Sequence, residues 1–366
     1  MTPTPRPLGS DYLHWVKTHP PVRYNLMSSG VPGYPLRDLP VALDELELNG
    51  PGFYGYAPLR EAIGARYGVP AACVVQADGA SMGFHLVMAA LLETGNEALI
   101  EHPWYEPMPA VARYLGAEVR AFARRSANGY AVDPDEVARH LTPRTRLVVL
   151  TNLHNPSGAL TDEATLRAVG EAAENVGARV LVNEIYLDAL FDDAPRSAFH
   201  LGGPFVTTSS LTKVYGLSGL RCGWVFADEA LANRMWRLTE LYANLAVHVG
   251  ERVSAVAFRH LDAIGARARV LLDANRAALA GFYRSRDDLE ASVPVLGTTS
   301  FPRLPEGRAD ALCALLRAKY ETAVVPGHFF GAPDHVRLGL GTEPALFAEG
   351  LDRLGRALDD LRGPAA

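Results

Sequence analysis

The chain reads as an α/β protein: a mostly parallel seven-stranded sheet sandwiched by helices, followed by a smaller α+β unit. Three observations predict this. Short, continuous runs rich in Val and Leu recur between residues 74 and 227, as strands covered on both faces require. Helical patterns separate these runs, so successive strands connect by crossovers and lie parallel. Three successive runs end in polar residues, where open α/β sheets hold their ligands.

Residues 1–50 are rich in proline, glycine and aromatics, as in Gly30-Val31-Pro32-Gly33-Tyr34-Pro35, and are expected to form an ordered arm. Strands are expected at 74–76, 98–101, 118–122, 146–151, 179–183, 205–209 and 223–227. Helices such as 82–92, 108–115 and 163–176 lie between them. A long helical stretch over 249–284 then leads to strand signals near 293–295, 299–304, 323–326 and 335–340. A helix over 345–361 closes the chain.

With 366 residues, two domains are the prior. Hydrophobic content of 48%, charged content of 21% and a net charge of -6 describe a soluble globular protein. That balance leaves no electrostatic footprint for nucleic acid. Cys73, Cys222 and Cys313 are odd in number and unclustered, which fits a reducing cytoplasm and neither a disulfide framework nor a zinc site. Residues 1–7 lack the apolar core of a signal peptide, and no uncharged apolar run approaches the ~20 residues of a membrane span.

The chemistry concentrates at three strand ends. Asn155-Pro156-Ser157-Gly158 follows one strand; Asn183-Glu184-Ile185-Tyr186 ends the next with an amide, a carboxylate and a phenol; Ser209-Ser210 ends the third and delivers Lys213. The chain has only three lysines, and Lys17 and Lys319 lie in segments that read as solvated. Lys213 alone sits in a hydroxyl-rich loop. A lysine, unlike an arginine, can lose its proton when buried or placed near another cation, and the neutral amine can attack an aldehyde. Ser210 and Arg221 beside it suit a phosphate.

With these residues in order, the chain resembles the fold-type-I pyridoxal-phosphate-dependent class I/II aminotransferases over roughly residues 25–360. The most specific match is the Ser210-x-x-Lys213 segment with Arg221 eight residues after the lysine. The resemblance implies an aspartate-aminotransferase-like fold, with residues 1–50 as the arm and part of the small domain, 51–250 as the large cofactor-binding domain and 251–366 as the small C-terminal domain. It implies a cytoplasmic homodimer with shared active sites, acting on an α-amino acid and a 2-oxo acid. Lys213 would hold the cofactor as a Schiff base and then move the substrate proton. Ser210 and Arg221 would bind the phosphate, joined by the backbone of Gly79-Ala80-Ser81 at a helix N-terminus. Asn155 and Tyr186 would hydrogen-bond the phenolic oxygen, Tyr105 would stack on the ring and Asn183 would face its nitrogen. Arg337 would clamp the substrate carboxylate, with Asn155 beside it.

Simpler roles stand beside several of these. Ser81 reads equally as a helix cap, Tyr105 as core, Arg337 as the partner of a surface carboxylate, Glu184 as a structural acid, His154 as a strand-end hydrogen-bonder and Phe329-Phe330 as packing instead of a gate. Tyr24, Tyr34, Phe53 and Tyr56 favour a substrate with a neutral or apolar side chain. Two departures matter. Asn183 stands where the family has an aspartate, and Gly50 stands at the usual upstream tyrosine position, leaving Tyr54 or Tyr56 to reach the partner subunit. The asparagine keeps two alternatives open: a lyase or other Cα/Cβ chemistry, and a non-catalytic cofactor binder. A nicotinamide dehydrogenase is disfavoured, because no G-x-G-x-x-G follows the first strand.

Overall fold

The structure, a computed structural model, describes residues 7–20, 22–243, 245–291, 295–305 and 308–362. In chain order the strands are β1 (Tyr24–Asn25), β2 (Val74–Asp78), β3 (Glu97–His102), β4 (Glu118–Ala123), β5 (Thr145–Thr151), β6 (Arg179–Asn183), β7 (Phe205–Ser210), β8 (Cys222–Phe226), β9 (Thr299–Ser300), β10 (Thr322–Ala323), β11 (Val325–Pro326) and β12 (Val336–Gly339). The helices are α1 (Asp11–Thr18), α2 (Ala57–Tyr67), α3 (Ala80–Leu91), α4 (Pro107–Tyr114), α5 (Pro134–His140), α6 (Glu163–Glu174), α7 (Glu229–Tyr242), α8 (His248–Arg259), α9 (Leu261–Arg284), α10 (Ala309–Tyr320) and α11 (Pro344–Arg362).

A seven-stranded sheet in the order β2-β8-β7-β6-β5-β3-β4 forms the centre. Its strands run parallel except β8, which is antiparallel to both β2 and β7. The continuous apolar runs have a direct cause. Successive side chains of a strand point to opposite faces, and both faces are covered. Leu147 and Val149 of β5 pack with Phe84, Met108 and Met235 of α3, α4 and α7. Their neighbours Val148 and Leu150 pack with Val137 of α5 and Val169 of α6 on the other face.

Beyond α8, helices α9, α10 and α11 pack with two small sheets, β11-β12-β9 and β1-β10. The largest core cluster is continuous from Trp224 and Phe226 of β8 to Val336 and Phe347.

Several expectations need correction. The stretch 249–284 is two helices, because His260 turns out of helical geometry and its N–H bonds to Ala257, three residues back. The strand expected at 299–304 stops at Ser300; Pro302 has no N–H to give, and Arg303 resumes pairing as an isolated bridge with Glu290 and His335. The run 323–326 divides between β10, paired with β1, and β11, paired with β12. Of the expected strand 293–295, residues 293 and 294 lie outside the described residues. The arm contains a helix, α1, that proline-rich composition concealed. Ser10 caps it by accepting from Leu13 N–H at 3.1 Å.

Candidate active site

The sheet register sets the frame: Thr151 pairs with Asn183, and Asn183 with Thr208, so three strand ends lie side by side. A buried Arg124–Glu101 pair at 2.7 Å anchors the first of them. Glu101 Oε1 accepts from Thr151 N–H at 2.7 Å, and Thr151 Oγ1 accepts from Asn155 N–H at 2.9 Å. Asn155 is thereby fixed and buried. His154 beside it is structural, as its strand-end reading anticipated. It is fully buried, with Nε2 donating to the Pro103 carbonyl at 2.9 Å, and burial holds its pKa well below the usual value.

At the second strand end, Asn183 Oδ1 accepts from Ile185 N–H and from Thr208 Oγ1, both at 3.3 Å. Since the Ile185 N–H can only donate, the amide orientation is set, and Nδ2 is the group left to face a ligand. Glu184 turns away from the ligand side. It accepts from Ser197 Oγ at 2.6 Å and from Ala198 N–H at 2.7 Å, and burial pushes its pKa up to about 7. Asp188, five residues beyond Asn183, is held by the hydroxyls of Tyr67 and Tyr215 at 2.6 and 3.0 Å and cannot replace the missing carboxylate.

The third strand end carries Lys213. Its Nζ donates to Ser29 Oγ at 2.9 Å. Burial lowers its pKa; the charges of Arg337 and Arg221 lower it further, against an opposing effect of Tyr12. The arm crosses directly over this loop, with Val31 N–H on the Lys213 carbonyl at 2.8 Å and Tyr34 N–H on the Gly216 carbonyl at 3.0 Å. Ser210 is buried and accepts from Thr212 N–H at 3.2 Å.

Arg221, in the left-handed region at φ 53, folds its guanidinium back over the start of α3. Nη2 donates to the Asp78 carbonyl at 2.8 Å, and a Cβ on Gly79 (φ +80) would lie 2.5 Å from that nitrogen. Glycine at 79 thus serves both the turn and the cation. No side chain caps α3, so Ser81 is not the cap, and the N–H groups of its first turn are open to an anion.

Arg337, in β12, is 1% exposed. Nη1 donates to Asn155 Oδ1 at 3.3 Å, and Nη2 donates to Tyr12 Oη and the Met27 carbonyl, both at 2.9 Å. Its Nε is buried and has no hydrogen-bond partner among the described residues. Among the described residues no ion pair forms with Arg337 or Arg221, so the alternative of a surface carboxylate partner for Arg337 falls. Phe330 is fully buried under the Arg337 guanidinium, 5.1 Å from ring centroid to Cζ, which makes it packing. Tyr186 is buried and its hydroxyl meets Ser29; Tyr105 meets Tyr12 edge-on at 6.0 Å.

Sequence reasoning missed Tyr12 and Ser29. The four aromatics that the sequence singled out are spread over the structure. Tyr24 lies 3.8 Å beneath Arg353, Tyr34 beside Arg267 and Tyr56 against His248, while Phe53 is 77% exposed. The aromatic wall near Arg337 is instead Tyr12, Tyr105 and Phe330.

A half-buried amine with a lowered pKa, a helix N-terminus without a side-chain cap under the exposed Arg221, and the buried Arg337, neither arginine with a carboxylate partner among the described residues, fit an aldehyde-and-phosphate cofactor with a carboxylate substrate. That combination suits a pyridoxal-phosphate-dependent transferase. Comparison with known proteins agrees. Residues 41–354 match the family described as aminotransferase class I and II. A capreomycidine synthase of Streptomyces vinaceus is 32% identical over 354 residues, covering 91% of this chain and 89% of that protein. An arginine–pyruvate transaminase of Pseudomonas aeruginosa is 31% identical, covering 93% and 91%. A solved structure of a pyridoxal-phosphate-dependent cyclase superposes with a TM-score of 0.87 at 27% identity, over 98% and 99% of the two chains.

The chain belongs to the class I and II aminotransferase family. It is a pyridoxal-phosphate-dependent enzyme of fold type I. No helix among the described residues is long and apolar enough to cross a membrane.

Proposed function

We propose that this enzyme transfers an amino group from an α-amino acid to a 2-oxo acid through Lys213. One observation carries the reading: a half-buried amine, Lys213, held by Ser29 Oγ at 2.9 Å, lies within the charge influence of two arginines, Arg221 and Arg337, that both lower its pKa and have no carboxylate partner among the described residues. Pyridoxal phosphate, when bound, supplies the aldehyde for that amine and a ring that withdraws electrons from the substrate Cα. Arg221, Ser210 and the first-turn N–H groups of Ala80 and Ser81 would hold its phosphate. Asn155 and Tyr186 would bind its phenolic oxygen, Tyr105 would cover the ring and Asn183 would meet the ring nitrogen.

The chain's own groups then divide the work. Arg337 binds the substrate carboxylate and so orients the Cα–H bond. Lys213 takes the Cα proton, and its lowered pKa keeps part of the amine unprotonated for that step. The described aromatic wall excludes water from the region around Arg337. The arginine–pyruvate transaminase relative makes arginine and pyruvate the first substrate pair to test.

We also propose a cytoplasmic homodimer, with residues 51–250 and 251–366 as its large and small domains. Leu48, Phe53, Leu241 and Val247 are 78%, 77%, 78% and 60% exposed. Phe53 and Val247 line the same cavity as Arg221, so a second copy covering them would close the phosphate site from outside. Tyr54, exposed beside Phe53, is the tyrosine that would reach across.

A second reading, Cα/Cβ chemistry other than transamination, draws on Asn183. Its free Nδ2 donates a hydrogen bond and therefore suits an unprotonated ring nitrogen. Loss of a buried charge-assisted pair removes about 2–4 kcal/mol of preference for the protonated ring. Two relatives bear the names synthase and cyclase. Titrating the holoenzyme with a panel of amino acids and following the cofactor's absorbance tests both readings. Conversion to the amine form of the cofactor supports transamination. A stable complex without conversion favours the second reading or a non-catalytic binder.

A further inference from the structure

Helix α1 places one side chain into the centre of the site. Tyr12 is 7% exposed, and its ring is enclosed by Tyr105, Phe329 and Phe330 at centroid distances of 6.0, 5.7 and 5.7 Å. Its hydroxyl accepts from Arg337 Nη2 at 2.9 Å, and Arg337 Cζ lies 5.5 Å from its ring centroid. Nothing in the local sequence requires a phenol here. Phenylalanine would pack against the same three rings.

We propose that Tyr12 is a substrate-carboxylate residue, holding the α-carboxylate jointly with Arg337. This rests on the reading of Arg337 as the carboxylate clamp. A guanidinium offers five N–H donors, and three contacts, to Asn155, Tyr12 and Met27, engage it here, leaving Nε without a partner among the described residues. A carboxylate arriving at the free donors lands beside the Tyr12 hydroxyl. That hydroxyl uses a lone pair toward Arg337, which leaves its proton to donate to a carboxylate oxygen. The surrounding rings keep water away, which strengthens such a charge-assisted bond.

The helix is fixed so that this geometry holds. Ser10 caps α1 and also donates its hydroxyl to Glu106, which precedes α4. Trp15 packs on Phe329 at 5.3 Å. The arm therefore connects the large-sheet side, through Glu106, with β12, through Arg337. A ligand without an α-carboxylate gains nothing from Tyr12, so the residue selects amino acids over simple amines.

The test compares wild-type holoenzyme with Tyr12→Phe, which removes only the hydroxyl. The ligands are the panel amino acid that wild type binds most tightly and the primary amine that remains when its carboxylate is replaced by hydrogen. Dissociation constants come from the cofactor's absorbance and from calorimetry. Loss of a hydrogen bond to a charged group predicts a Kd for the amino acid raised about 10-fold or more, with the amine's changed by less than about 2-fold. KM should carry the loss, with kcat retained within about 3-fold. Ser10→Ala, which loosens α1 without touching the hydroxyl, should give a smaller loss of the same selectivity. An unchanged Kd for the amino acid, or equal weakening of both ligands, overturns the role of Tyr12 and leaves the functional reading standing. Failure of wild type to bind any α-amino acid overturns both.

Discussion

Lys213 Nζ donates to Ser29 Oγ at 2.9 Å, joining the amine to a residue 184 positions earlier in the chain. Ser29 also meets the Tyr186 hydroxyl, so one arm residue contacts two proposed cofactor-facing groups. An oxygen acceptor stabilises the charged amine more than the neutral one. Ser29→Ala should therefore lower the Lys213 pKa below its already depressed native position. The pH dependence of Lys213 acylation in apoenzyme reads this directly. Wild type should titrate below 10.5, the ordinary lysine value, and the variant lower still. A variant titrating at or above wild type contradicts the account.

Arg337→Lys keeps the charge but loses the planar fork and its hold on Asn155, Tyr12 and Met27. The weakened clamp should cost about 2–3 kcal/mol, roughly 30- to 150-fold in kcat/KM, mostly through KM. Steady-state kinetics at saturating oxo acid measures the division. A loss confined to kcat would count against a carboxylate role.

Gly79→Ala adds a Cβ 2.5 Å from Arg221 Nη2, at a backbone φ of +80 that side chains rarely adopt. The guanidinium must leave the mouth of α3. Affinity for pyridoxal phosphate should fall about 10-fold or more, the equivalent of one charge-assisted hydrogen bond. Equilibrium dialysis of the apoenzyme against the cofactor provides the measurement, and unchanged affinity would remove Arg221 and α3 from the phosphate site.

Glu184 links pH to stability. Its native pKa, about 7, lies above the ordinary 4.5, so between those values the folded chain binds the proton that the unfolded chain has released. Its contribution is therefore fully present below pH 4.5 and is lost as pH rises toward 7, on the order of 3 kcal/mol in total. Glu184→Gln keeps an acceptor for Ala198 N–H and removes the titration. Melting curves between pH 5 and 8 should show wild type losing stability relative to the variant as pH rises. Parallel curves would mean that Glu184 titrates normally.

These sites differ in how far the sequence reveals them. The seven sheet strands are legible because burial on both faces leaves an uninterrupted apolar run, and sheet register then brings Asn155, Asn183 and Lys213 to neighbouring strand ends. Tyr12 and Ser29 are not legible in the same way. They reach the site by tertiary contact across hundreds of residues, and no local periodicity marks them. Ser10-Asp11, a cap followed by an acid in the first turn, was the available signal for α1. Where Tyr24, Tyr34, Phe53 and Tyr56 point was not legible either, because composition does not tell which way a ring faces. Tyr24, for example, lies under Arg353.

Asn183, proposed to meet the ring nitrogen, bears on which reaction follows cofactor binding. Its Oδ1 is committed to Ile185 N–H and Thr208 Oγ1, leaving an N–H donor for the ligand. In Asn183→Asp those two donors remain satisfied, since a carboxylate accepts at both oxygens, and the second oxygen replaces Nδ2. The ligand would then meet an anion, which favours a protonated ring nitrogen by about 2–4 kcal/mol. A stronger electron sink should speed loss of the substrate Cα proton. Single-turnover conversion of the cofactor to its amine form, with one amino acid in excess, should be faster in the variant by 10-fold or more, as about 1.4 kcal/mol of that preference already suffices. An equal or slower variant would mean that this site performs its chemistry without a protonated ring, and that Asn183 suits the native reaction as it stands.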